Sequence, residues 1–96
     1  MRTILFRCPA CGYRAQVTGG SETDHEVKVR TMVCRSCKAV VDAVVARLVP
    51  GETELGLPID RWHAVAAQCP HCNGGGLVPW PLARPCPRCD GEMDEE

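Results

Sequence analysis

The stretch FRCPACGYRAQVTGG, residues 6–20, sets two cysteines three positions apart between Phe6 and Tyr13. Cys8 and Cys11 are the first of four such pairs, and Cys34/Cys37, Cys69/Cys72 and Cys86/Cys89 repeat the spacing. How these eight cysteines are used decides the fold, because little else organises the chain. In 96 residues the aromatic side chains are Phe6, Tyr13, Trp62 and Trp80. Pieces of about 40–50 residues rarely bury enough apolar surface to hold together without cross-links, metal or association.

The N-terminal MRTILFRC offers only Ile4, Leu5 and Phe6 as consecutive large apolar residues, too few for a signal-peptide core. No run approaches the roughly 20 apolar residues of a membrane helix, so no membrane partner is expected. These features point to a cytoplasmic location, where thiols stay reduced and paired cysteines serve metals rather than disulfides. Tetrahedral zinc takes four soft ligands, and two Cys-x-x-Cys units supply them. The pairs fall into two groups. Cys8, Cys11, Cys34 and Cys37 have 22 residues between pairs, and Cys69, Cys72, Cys86 and Cys89 have 13. Both are near the spacing of known zinc sites, which predicts two Zn²⁺ per chain. Sequential pairing keeps each loop short and its closure entropy low; an interleaved arrangement joining 8/11 with 69/72, as in RING-type domains, is the alternative. In such a knuckle the residue after the second cysteine often needs a left-handed backbone. Gly12 adopts it freely, and Asn73 and Asp90 better than most residues. Lys38 fits poorly and makes 34–37 the least regular pair.

Sequential pairing implies two units: 1–49 as a first metal-bound module, 50–61 as a connecting loop marked by Pro50, Gly51, Gly56 and Pro58, and 62–96 as a second module with an acidic tail. The order pair, spacer, pair occurs twice, an approximate internal duplication. In the first spacer, Tyr13, Ala15 and Val17 alternate with polar residues, as do Val27, Val29, Thr31 and Val33 after the turn-rich TGGSETDH. Period-two alternation around a Gly-Gly turn predicts a hairpin between these segments. KAVVDAVVARLVP, 38–50, fits a helical stripe, but its valines favour a third strand. NGGGLVPWPLARP, 73–85, is too rich in Gly and Pro for long strands and predicts a tight, loop-like hairpin. The fold class expected is small, metal-stabilised and mostly β, with short antiparallel strands and little helix.

The knuckles CPACGY, CPHCNG and CPRCDG resemble those of zinc-ribbon and rubredoxin-like proteins, and the whole chain resembles a tandem zinc ribbon. That resemblance implies a structural module of transcription, translation or multi-subunit assemblies. FRCPACGYRA is also similar to the first knuckle of a rubredoxin, which would imply iron and electron transfer; CRSCKA lacks the Pro-Gly of the second. CPHC, 69–72, matches the active-site tetrapeptide of thiol oxidases but lacks their βαβ context. CNGGG, 72–76, is similar to one cysteine-rich repeat of J-domain chaperones.

Charge is split between the halves. Residues 1–50 carry a formal +4 and residues 51–96 a formal −5. A divalent ion on four thiolates adds about −2 per site, which makes the metal-loaded protein acidic. Lys28 and Arg30 share one strand face and could follow phosphates, yet the acidic half disfavours nucleic acid. Opposite charges on the halves could instead orient docking on a larger protein or a second copy. Trp80, held between prolines, is either an exposed anchor for such a partner or a cover for a metal site. Trp62 has the same ambiguity. Four-thiolate sites leave no position for water or substrate. His25, His63 and His71 are scattered, so neither catalysis nor a small-molecule substrate is expected. The reading is a protein-interaction or assembly module, with a nucleic-acid-binding ribbon and an iron electron carrier as alternatives.

Overall fold

A computed structural model describes residues 2–96, and all of its regular structure is β. The chain runs β1 (Ile4–Arg7), β2 (Arg14–Val17), β3 (Ser21–Asp24), β4 (Val27–Cys34), β5 (Ala39–Glu52), β6 (Pro58–Ala64), β7 (Leu77–Pro79) and β8 (Asp94–Glu95). Two antiparallel sheets result, β2-β1-β8 and β3-β4-β5-β6, with β7 on the last residues of β4. The mostly β, antiparallel class expected from the sequence is what forms. Among the described residues no helix is long and apolar enough to cross a membrane.

The valine-rich 39–49 is strand, as its β-branched content favours. The strands at 14–17 and 27–34 also form, but the hairpin expected between them does not. β2 pairs back onto β1, with Phe6 opposite Ala15, and β4 pairs with β3, β5 and β7. Thr18–Gly20 carries the chain from one sheet to the other. Gly19 has φ +83°, and a Cβ there would stand 3.1 Å from the Phe6 ring. The Asp42 carboxylate secures this crossing. It accepts from the Thr18 N–H at 3.0 Å and from the buried Thr31 hydroxyl at 2.7 Å, and Thr31 Oγ1 accepts from the Gly19 N–H.

Residues 50–61, expected as a connecting loop, are mostly strand. β5 and β6 form a long hairpin, with Arg47 opposite His63 and Glu52 opposite Pro58, turning at Thr53–Leu57. The prolines fit because of where their nitrogens face. The Leu48 N–H donates away from β6 to the Glu26 carbonyl, so Pro50, two residues on, faces the same side. There β4 has already ended, at Val27 opposite Arg47, and no ladder bond is lost. The hairpin extends the molecule to 58 × 25 × 19 Å. The spacer 73–85 is likewise not a local hairpin. Its residues 77–79 join β4, with Leu77 opposite Cys34, and the rest runs on to the far sheet.

The main core lies between the sheets: Phe6, Ala15, Val17, Val40 and Met93 around Cys8 and Cys86, with Tyr13, Val33 and Trp80 against them. A smaller cluster joins Val41 to Cys34 and Cys69, flanked by Ala39 and Leu77.

Candidate metal centres

All eight predicted cysteines gather into two sets of four: Cys8, Cys11, Cys86 and Cys89, and Cys34, Cys37, Cys69 and Cys72. This corrects the sequential pairing, and it is not the RING-type alternative either, since 8/11 meets 86/89. The sets are nested, with an inner one enclosed in sequence by an outer one. Loop length alone favours neighbours, but two strand pairings overrule it. β8 docks on β1, with Phe6 opposite Glu95, and returns the C-terminal knuckle to the N-terminal one. β7 docks on β4 and sets the 69–72 knuckle beside the turn at 34–37.

The four knuckles share one backbone design. Gly12, Lys38, Asn73 and Asp90 all have φ between +51° and +80°. The misfit expected at Lys38 is therefore a residue difference and not a conformational one. In three knuckles the residue after the second cysteine donates back to the first cysteine's carbonyl: Gly12 to Cys8, Asn73 to Cys69 and Asp90 to Cys86. The turn at Cys34–Lys38 is itself the β4–β5 hairpin, with Cys34 opposite Ala39. Gly74 and Gly91 follow the left-handed residue of their knuckles, and a Cβ on either would meet sulfur, Cys72 Sγ at 3.2 Å and Cys89 Sγ at 3.3 Å. The repeated CNG and CDG in the sequence were the signal for this role.

The sulfurs fit a tetrahedral ion. Within each set all four lie within 4.8 Å of one another. Cys8–Cys89 is 3.4 Å, Cys11–Cys86 3.6 Å, Cys34–Cys72 3.7 Å and Cys37–Cys69 3.8 Å. A tetrahedron with metal–sulfur bonds of about 2.3 Å has edges of about 3.8 Å. All eight cysteines are free of disulfides. The first cysteine of each pair is buried, whereas Cys11, Cys72 and Cys89 are exposed, so each set has a dry floor and a solvent-facing rim.

The thiol electrostatics show how each set distributes its charge. The Cys11 N–H, helped by the Ala10 N–H, draws Cys8 down to about 7. Its partner Cys89 goes up to about 12: the Gly91 N–H acts downwards, but the hydrogen bonds shared with Cys8 and Cys11 outweigh it. In the inner set burial opposes ionisation of Cys69, yet the Cys72 and His71 N–H groups bring it down to about 6. Cys37 is pushed up to about 12 by its hydrogen bond with Cys72, then by burial. In each set one thiol goes down while a neighbour goes up, Cys8 against Cys89 and Cys69 against Cys37, because hydrogen bonds within the set favour one thiolate at the expense of another. A divalent cation is the charge that lets all four ionise.

The other residues singled out in the sequence lie elsewhere. Trp80 is half-buried, edge-on to Phe6 with centroids 5.0 Å apart, and its Nε1–H donates to the Pro85 carbonyl. Arg84 stacks on Phe6 and Arg88 on Tyr13, roofing the outer set's core. Lys28 lies over the Trp62 ring at 4.5 Å, and Arg30 is exposed on the same strand. His25, His63 and His71 are all exposed. The acidic tail is partly tied down: Glu95 pairs with Arg84 and Glu96 with Arg14.

The site and fold together define a small, mostly antiparallel β protein with two tetracysteine centres able to hold metal. Compared with known proteins, the chain matches no family model, no curated protein and no solved structure.

Proposed function

We propose that each set binds one Zn²⁺ as a structural ion and that the protein is a non-catalytic interaction or assembly module. The observation that carries this is the closure of both centres. Four thiolates at tetrahedral separations come from the chain itself, which leaves no open position for substrate chemistry. What the fold presents outward is surface. Val49, Leu55, Leu57 and Trp62 stand exposed on the β5–β6 arm, away from both centres. Cytoplasmic residence suits eight free thiols.

Elemental analysis of the purified protein tests the metal, with two zinc atoms and no colour expected. A coloured protein carrying iron would support an electron carrier instead, since zinc is d¹⁰ and spectroscopically silent. Partner capture with metal retained and with metal chelated tests the module, and capture that survives chelation would sink the coupling of fold to binding.

A nucleic-acid reading has one observation in its favour, the shared face of Lys28, Arg30 and Trp62. It is the weaker, because Lys28 occupies the Trp62 face on which a base would stack. Tight single-strand binding with a steep salt dependence would promote it.

A further inference from the structure

The arm is under-supported as it stands. Residues 49–52 of β5 and 58–61 of β6 pair only with each other, the last backbone bond to the rest of the sheet being that of the Leu48 N–H to the Glu26 carbonyl. An isolated two-stranded ribbon is marginal in water, and a third strand or a packed face is what usually stabilises one. This ribbon instead exposes Trp62 by 38%, Val49 by 41%, Leu57 by 59% and Leu55 by 87%. β6 is also the last strand of its sheet, so one side of its backbone is open. The Val65 N–H donates to the Val45 carbonyl. By two-residue alternation His63, Arg61 and Ile59 face β5, and Asp60, Trp62 and Ala64 aim their N–H and C=O groups outward.

We propose that a second copy of this chain docks on that edge, β6 against β6 antiparallel, with the two Trp62 residues opposite one another. This deepens the interaction-module reading by naming its partner. Charge and polarity select the register. Centring on Arg61 or on Asp60 sets like charges directly opposite, which is destabilising. Centring on Trp62 avoids both and keeps more of β6 paired than centring on His63 or Ala64, which avoid them too. Asp60 then faces Ala64 of the second copy and Arg61 faces His63, so residues 60–64 of each β6 are paired. The two tryptophans, each with its own Lys28 over one face, become cross-strand neighbours, an aromatic pair. The same patch serves both copies, as a two-fold interface requires. The result is a four-stranded ribbon in which each arm gains the strand it lacks. Along β6 the one protective proline is Pro58 at its first residue, outside the paired stretch 60–64, and no lysine is present.

Sedimentation of the zinc-loaded full chain from micromolar to millimolar concentration tests this, with a rise from monomer to dimer mass expected. Ala64→Pro removes an outward N–H and no β5–β6 bond. Trp62→Asp sets two carboxylates opposite each other and leaves the backbone alone. Each variant should weaken dimerisation at least tenfold while keeping two zinc atoms per chain, which reports that the body is folded. A wild-type protein that stays monomeric throughout, or either variant dimerising as tightly as wild type, overturns the proposal. A monomer that still captures another protein would overturn the second copy alone and leave the interaction reading standing.

Discussion

The outer and inner cysteine sets are made of the same parts in unequal surroundings. Each joins a knuckle that turns a hairpin, at 8–13 or 34–39, to one that closes on a glycine, Gly91 or Gly74. The outer set is packed by Phe6, Val17, Val40 and Met93 with Tyr13 and Trp80 alongside, whereas the inner set has little more than Val41, Ala39 and Leu77. Identical ligand chemistry therefore rests on two kinds of support: side-chain packing outside, strand pairing inside. The nesting adds a dependence. Cys11 and Cys86 are separated by 74 residues, but a closed inner set shortens the free path to residues 12–33 and 73–85.

Removing both metals erases the comparison and has the largest expected effect. Structural zinc supplies about 10–16 kcal/mol per site in zinc-finger peptides, more than a core of this size provides. With EDTA the amide NMR spectrum should collapse to the dispersion of an unfolded chain, and retained dispersion would show that packing alone suffices. Acid should act in the same direction. A cysteine thiol of an unfolded chain, with a pKa of about 8.5, is already mostly protonated at neutral pH, and the fold pushes Cys37 and Cys89 further, up to about 12. Metal must displace those protons, so affinity falls as pH falls. A metal-competition titration between neutral and mildly acidic pH should show this.

Removing one metal at a time tests the nesting. Cys86→Ser should leave close to one zinc per chain, held by the inner set within its own sheet. Cys69→Ser should cost the inner metal and also weaken the outer one, which must then close the longer loop. Chain entropy alone makes that about 0.7 kcal/mol, a roughly threefold loss of affinity, and release of β7 from β4 adds to it. Equal residual affinities in the two variants would mean that the sets are independent.

The next smaller effects lie in what joins the two surroundings. Asp42→Ala leaves the Thr18 N–H without its acceptor and the buried Thr31 hydroxyl with Thr18 Oγ1 alone to accept from it, at a cost of about 1–3 kcal/mol. Tyr13→Phe removes the hydroxyl that accepts from the Val40 N–H at 3.0 Å, at a cost towards the lower end of the same range. Denaturant melts of the zinc-loaded protein measure both. A null result for Asp42 would mean that the metals alone hold the sheets in register.

The residues able to hold metal were legible in the sequence, since four Cys-x-x-Cys units supply two groups of four thiols, and the strands too, because alternation at 14–17 and 27–33 reports local burial. The pairing was not legible. Alternation says that Ala15 and Val17 face a core without saying which strand lies alongside, and β2 chose β1 over β4. Docking of the two-residue β8 on β1 leaves almost no local pattern, yet it decides the outer set. Pro50 and Pro58 read as loop because proline lacks a donor, and only the sheet edge they occupy shows that none is needed there. Where partners are distant in sequence, composition cannot name them.

The smallest effect sharpens the comparison at one residue. Gly12 and Lys38 occupy the same place in the hairpin-turning knuckles of the two sets, with φ +80° and +51°. A side chain in this region costs about 1 kcal/mol relative to glycine, because Cβ crowds the backbone oxygen. Lys38→Gly should therefore relieve strain in the inner knuckle. Part of the gain is offset by the greater freedom glycine gives the unfolded chain, which leaves a net stabilisation of about 0.5 kcal/mol. Gly12→Lys in the outer knuckle should lose a similar amount. If Lys38→Gly destabilises instead, the Lys38 side chain contributes more than its backbone costs, and the guanidinium that donates to its carbonyl, that of Arg88, marks the contact between the two sets to examine next.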